Sequence, residues 1–131
     1  MITLKHGTCE CRSEKILVEG LDSRAFLTDS EEIALYYAEC ALDDCSNNCG
    51  EMTYFEATVD EKELRADWAS YEEPLTFFRN RYTSCEREWF EMIESGEITM
   101  PENSNDYKTS LEVVNSVLHF SAIKPKQLKR A

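Results

Sequence analysis

The sequence predicts an α+β fold, and three observations carry that prediction. Short β-type segments stand near both ends and in the middle of the chain: Ile2 to His6, Thr53 to Val59, and Val113 to Phe120. Between them lie stretches whose apolar residues recur at three- and four-residue spacing, from Ile33 to Ala41 and from Leu75 to Met92. Their order is not the regular strand–helix alternation of a parallel sheet, so antiparallel strands with flanking helices are expected.

Taken in order, Ile2-Thr3-Leu4-Lys5-His6 alternates and ends at Gly7 as a strand. Ser13 to Glu19 forms a short helix stopped by Gly20, and a brief strand from Ala25 to Thr28 follows the turn at Asp22-Ser23. Asp29 or Ser30 caps the next helix, Glu31 and Glu32 suit its positive end, and Ile33, Ala34, Tyr37, Ala38 and Ala41 share one face. Asp43 through Gly50, with Ser46, Asn47 and Asn48, reads as a polar loop. In the strand Thr53 to Val59, Phe55, Ala57 and Val59 lie on one side. The longest helix is expected from Pro74 to Ser95, with Leu75, Phe78, Tyr82, Cys85, Trp89 and Met92 as its buried stripe and Gly96 as its stop. Residues 101 to 109 read as a polar loop before the β-rich segment Val113 to Phe120, and Ile123-Lys124-Pro125 ends the pattern.

The chain has 131 residues, which fits a single domain spanning 1–131 with a core that needs no disulfide staples. No apolar run approaches the roughly 20 residues of a membrane span, and Met1 to Arg12 lacks a signal-peptide core, so a cytoplasmic protein without membrane contact is expected. Lys and Arg number 14 against 26 Asp and Glu, a net charge of −12. Such a surface repels phosphate backbones and makes nucleic acid a poor partner; a solvated acidic face is the simplest account, with basic proteins as partners or mimicry of DNA beyond it. The six cysteines are Cys9, Cys11, Cys40, Cys45, Cys49 and Cys85. Cys40, Cys45 and Cys49 run C-x4-C-x3-C, with a separate C-x-C at Cys9 and Cys11, and neither is the paired C-x2-C of zinc sites. Reduced thiols without a metal are expected.

Chemistry concentrates in two segments. A histidine at a strand end, His6, can donate to a ribose hydroxyl, and Gly7 lets a flat carboxamide approach the backbone beside Thr8. Phe26 and Tyr37 stand eleven positions apart, one on a strand and one on the following helix, where they can close on a planar ring from two directions. Thr28 is positioned to hold a neighbouring group through its hydroxyl. Core packing of both aromatics, and a turn role for Gly7, are the plainer alternatives. His119, in an apolar strand, reads as a half-buried structural histidine, Cys85 as core rather than a nucleophile, and Trp68 and Trp89 as packing.

In series these segments resemble the ADP-ribosyltransferase superfamily, in its diphtheria-toxin and poly(ADP-ribose) polymerase-like branch. The pieces that carry the resemblance are His6-Gly7-Thr8, Ile16 with Gly20-Leu21, Phe26 with Thr28, and Ala34 with Tyr37-Ala38; Phe55 to Asp60 and Ser110-Leu111-Glu112 to Ile123-Lys124-Pro125 extend it. The stretch Asp67 to Asn105 is unassigned by it. The resemblance implies a split antiparallel β-sheet with flanking helices whose cleft binds NAD as co-substrate. His6 would contact a ribose hydroxyl, the Gly7 backbone would hold the nicotinamide carboxamide, and Tyr37 with Phe26 would sandwich the nicotinamide ring. Phe26 stands where the superfamily often has tyrosine. A catalytic glutamate would stabilise the oxocarbenium-like state as nicotinamide leaves. Glu112, at the opening of the late β segment, is the candidate; Glu88 reads as a solvated helix charge.

The implied activity is NAD-dependent transfer of ADP-ribose to a protein or small-molecule acceptor, in a bacterial or phage setting of toxin or host conflict. With Ser110 or Asn115 in the acid's place, the chain would instead be an inactive module that binds a nucleotide or inhibits a partner through its acidic surface. RNA 2′-phosphotransfer and DNA ADP-ribosylation on the same fold are disfavoured by the charge.

Overall fold

The computed structural model describes residues 1–45, 50–75 and 79–131. Strand β1 (Ile2–Cys9) pairs antiparallel along its whole length with β3 (Met52–Val59), Ile2 opposite Val59 and Cys9 opposite Met52. Strand β6 (Leu128–Arg130) adds to the far edge of β3, with Leu128 opposite Ala57. A second antiparallel sheet has β5 (Val117–His119) at its centre, flanked by β2 (Ala25–Leu27) and β4 (Leu64–Ala66). Among the described residues, one backbone bridge links the two sheets. Lys5 and Thr28 exchange backbone hydrogen bonds of 2.7 and 2.9 Å, which sets β2 beside β1. The fold is thus α+β, as the sequence predicts, with two three-stranded antiparallel sheets and, among the described residues, five α-helices.

Helix α1 (Ser13–Glu19) ends at Gly20, whose φ of 80° lies in the region open to glycine. A side chain there would also strike the Ile123 carbonyl oxygen, 2.1 Å from its Cβ. Helix α2 (Glu31–Asp43) begins as expected: the Ser30 hydroxyl accepts from the Ile33 amide, and Glu31 and Glu32 occupy the first turn. Ile33, Ala34 and Ala38 are its buried residues, and the helix lies against β1 and β3.

Two expectations fail. The helix predicted from Pro74 to Ser95 is not continuous; α4 runs only Glu86–Ser95. The Thr83 hydroxyl accepts from the Cys85 amide and donates to Glu88, a local turn that starts the helix afresh. Cys85 is therefore exposed at the helix start rather than core, while Trp89 is fully buried as expected. Phe78 of the predicted stripe lies outside the described residues. The segment Val113 to Phe120 is likewise not one strand. Helix α5 (Tyr107–Val114) occupies its first part, Asn115 ends that helix at a φ of 53°, and only Val117–His119 is strand. Asp106 caps α5 by accepting from the Thr109 amide, a signal the two β-branched residues at 113 and 114 obscured.

The apolar interior has two parts. One joins the sheets, from Leu4, Phe55, Ala57 and Val59 to Leu64, Val117 and Ile123, closed by Ile16 and Leu21. The other gathers Ile33 against Tyr71, on helix α3 (Trp68–Glu72), with Trp89, Ile98, Val113 and Val114. The Trp89 indole donates to the Tyr71 carbonyl at 2.9 Å, which satisfies its only polar atom. Trp68, read from the sequence as packing, is 37% exposed. No helix among the described residues is long and apolar enough to cross a membrane.

Candidate functional site

The period of two in β1 decides what its polar end can do. Leu4, His6 and Thr8 share one face, opposite Ala57, Phe55 and Thr53, whereas Gly7 points the other way. His6 and Thr8 therefore line a common cleft of about 500 Å³, with Arg12 and with Lys15, Glu19 and Asp22 from α1 and the turn beyond it. Ile16, Gly20 and Leu21 complete its wall. The cleft thus contains the histidine, glycine and leucine of the motifs read in sequence, together with two cations that the sequence reading did not select.

The His6 ring is fixed by a hydrogen bond of 2.9 Å from Nδ1 to the Phe26 carbonyl. A carbonyl only accepts, so Nδ1 carries the proton and Nε2 of the neutral ring is an acceptor. The sequence expectation of a donor to ribose is therefore reversed: neutral His6 accepts from a hydroxyl. Burial lowers the His6 pKa; the Phe26 carbonyl opposes this and the Arg12 guanidinium adds to it. The stability tied to neutral His6 is full above the unfolded value of 6.5 and is lost as pH falls from there through the lowered folded value. Between about pH 7.5 and about pH 5.5 the wild type should lose more thermal stability than His6→Gln. Equal losses in the two proteins would mean that His6 does not contribute.

Gly7 serves packing. A Cβ built on it would lie 1.7 Å from the Ala34 carbonyl oxygen and 2.9 Å from the Ala38 nitrogen, both in the backbone of α2. The bare face of Gly7 is covered by helix and is turned away from the cleft. Thr28 is also structural: it is buried, its backbone joins the sheets, and its hydroxyl accepts from the Ser30 amide at 3.0 Å.

Phe26 and Tyr37 stack on each other rather than standing apart around a ring-sized gap. Their rings are nearly parallel, 21° apart, with centroids separated by 6.0 Å. A third ring between them needs about 7 Å, two contacts of about 3.5 Å. The pair is closed on itself, and opening it requires a shift of about 1 Å, which Phe26 can supply because it is 41% exposed. His6 links this pair to the cleft through the Phe26 carbonyl.

Behind Tyr37 lies a buried polar network that the sequence reading missed. Asp67 accepts from the Ser70 amide at 3.2 Å, the Ser70 hydroxyl at 2.6 Å and the Ser116 hydroxyl at 2.6 Å. Its own amide donates to the Ser110 hydroxyl, which in turn donates to the Ser116 carbonyl. Burial raises the Tyr37 pKa, and the Asp67 charge acts in the same direction, while hydrogen bonds with Ser116 and Ser70 act against them.

Glu112 does not open a strand. It lies on α5, exposed, two positions and so about 200° around the helix from buried Ser110. Since Ser110 faces Asp67, Glu112 faces away from the Tyr37 network and into solvent. Asp67, the carboxylate of that network, is fully buried and occupied by its three donors. Ser110 and Asn115 hold structural bonds, Asn115 through its amide to Asp29 at 2.9 Å. His119 is buried rather than half-buried, and bonds the Ser121 carbonyl through Nδ1.

The cysteines divide differently from their spacing. Cys40 is exposed on α2, and Cys49 lies outside the described residues. Cys45 instead joins Cys9 and Cys11, the three sulfurs lying within 4.8 Å of one another. Comparison of the chain with protein-family models, with curated proteins and with solved structures finds no match.

Proposed function

We propose that this chain is an ADP-ribosyltransferase-like module that binds NAD, or a closely related nucleotide, and does not transfer ADP-ribose. The observation that carries the reading is the cleft that His6, Thr8, Arg12 and Lys15 line together, with the Arg12 charge close enough to act on the His6 ring. A neutral histidine acceptor beside a hydroxyl suits a ribose, and Arg12 and Lys15, the latter 3.9 Å from Glu19, suit a diphosphate in a chain whose net charge is −12. Two three-stranded antiparallel sheets, bridged at Lys5 and Thr28, support the reading. Phe26 and Tyr37 supply a ring pair that a nicotinamide can open.

The outward position of Glu112 favours binding over transfer, because an oxocarbenium-like state needs a carboxylate fixed beside the ribose. Calorimetric titration with NAD tests the proposal. His6→Ala and Arg12→Ala should each weaken binding about tenfold, or about 1.4 kcal/mol. Unchanged affinity in both, or no binding to wild type at millimolar NAD, would sink it. Nicotinamide release should stay at the buffer rate; release that Glu112→Gln abolishes would restore the transferase reading with Glu112 as its acid.

A further inference from the structure

We propose that Cys9, Cys11 and Cys45 form a thiolate site for zinc, at the C-terminal end of β1. The site is assembled by packing rather than by local spacing. Gly7 lets α2 press on β1, and both elements run on from that contact, the strand to Cys9 and the helix to Asp43, with Cys45 two residues past it. The 3-10 turn Glu10–Arg12 then folds Cys11 back onto the same point.

The sulfur of Cys11 stands 3.1 Å from that of Cys9 and 2.8 Å from that of Cys45. Cys9 is buried, and Cys11 and Cys45 are half-buried. Thiols are weak hydrogen-bonding groups, so three of them gain little from one another by converging. A shared ion accounts for the convergence. Zinc–sulfur bonds of about 2.3 Å in a tetrahedron set sulfurs about 3.8 Å apart, so the Cys11 sulfur, 2.8 and 3.1 Å from its neighbours, needs to draw back by about 1 Å or less to share an ion with them. A disulfide would use only two of the three sulfurs, and both short separations exceed the covalent length of about 2.05 Å. An all-sulfur donor set selects a thiophilic ion over magnesium or calcium, and zinc needs no redox partner. Binding deprotonates the thiols: each S–H proton passes to buffer as its Zn–S bond forms. The fourth position on the metal is left to water.

The test uses the full chain, purified under reducing conditions, dialysed with zinc and analysed by elemental mass spectrometry. About one zinc per chain is expected. Cys11→Ser and Cys45→Ser should each lower zinc affinity by more than the roughly tenfold that loss of a supporting outer group costs. Cys40→Ser and Cys85→Ser, outside the cluster, should bind as wild type does. Cobalt substitution of the wild-type protein guards against variants that fail to fold: a sulfur-to-cobalt charge-transfer band with intense tetrahedral visible bands is expected. Substoichiometric zinc in the reduced wild type, a cobalt spectrum of the oxygen-ligated octahedral kind, or wild-type affinity in Cys45→Ser would each overturn the proposal. So would isolation of the protein with these cysteines in a disulfide and no metal.

Discussion

Gly7→Ala is expected to remove about 3 kcal/mol or more of folding stability and to lower Tm by roughly 10 °C or more. The added methyl carbon would lie 1.7 Å from the Ala34 carbonyl oxygen, 2.7 Å from its carbon and 2.9 Å from the Ala38 nitrogen. All three are backbone atoms, so no rotamer change can relieve the collision. Helix α2 must lift from β1, and Ile33, Ala34 and Ala38, the residues it buries, move with it. Interiors packed to crystal density do not absorb such a shift cheaply, and a loss of this size is a large part of an ordinary domain's stability of about 5–15 kcal/mol. Urea or thermal unfolding measures the effect. Ala34→Gly in the same chain should not rescue it, because deleting the Ala34 methyl leaves the clashing backbone in place. A Gly7→Ala protein as stable as wild type, with only nucleotide binding impaired, would return Gly7 to the ligand-contacting role its tripeptide suggests.

That glycine also marks how far the sequence could be read. Alternation in β1 was visible, and with it the fact that His6 and Thr8 share a face that Gly7 does not; the motif drew all three to one ligand, while the strand's period separates them. The start of α2 was legible because Ser30, Glu31 and Glu32 act within one turn. Val113 and Val114 misled because their β-branched side chains are buried in the second core, the one that holds Tyr71 and Trp89, and that packing outweighs a propensity difference of a few tenths of a kcal/mol. The break before α4 depends on a single hydroxyl, Thr83, set against an apolar stripe that runs across it. The cysteine cluster was beyond reach for another reason. Cys11 and Cys45 are 34 positions apart, and only the docking of α2 on β1 brings them together.

Asp67→Ala should cost about 3–5 kcal/mol, the cost of stripping a buried charged hydrogen-bond centre of its acceptor. The Ser70 amide, the Ser70 hydroxyl and the Ser116 hydroxyl would all lose their partner where water does not reach. Helix α3 would also lose its cap. Asp67→Asn should cost less, since its remaining oxygen can still accept from the Ser70 amide and serine hydroxyls can rotate to receive from its amide. Denaturant unfolding with an unchanged m-value would assign the loss to stability rather than to a new unfolded state. The variant also reaches the candidate site. The Asp67 charge helps raise the Tyr37 pKa, after burial, so Asp67→Asn should lower the Tyr37 titration midpoint while leaving it above the ordinary phenol value of 10.0. A stable Asp67→Ala protein with an unmoved Tyr37 titration would show that the network neither holds α3, α5 and β5 together nor touches the ring pair. The expected outcome, loss of both, would make Asp67 the support of Tyr37 rather than an acid waiting for a ribose.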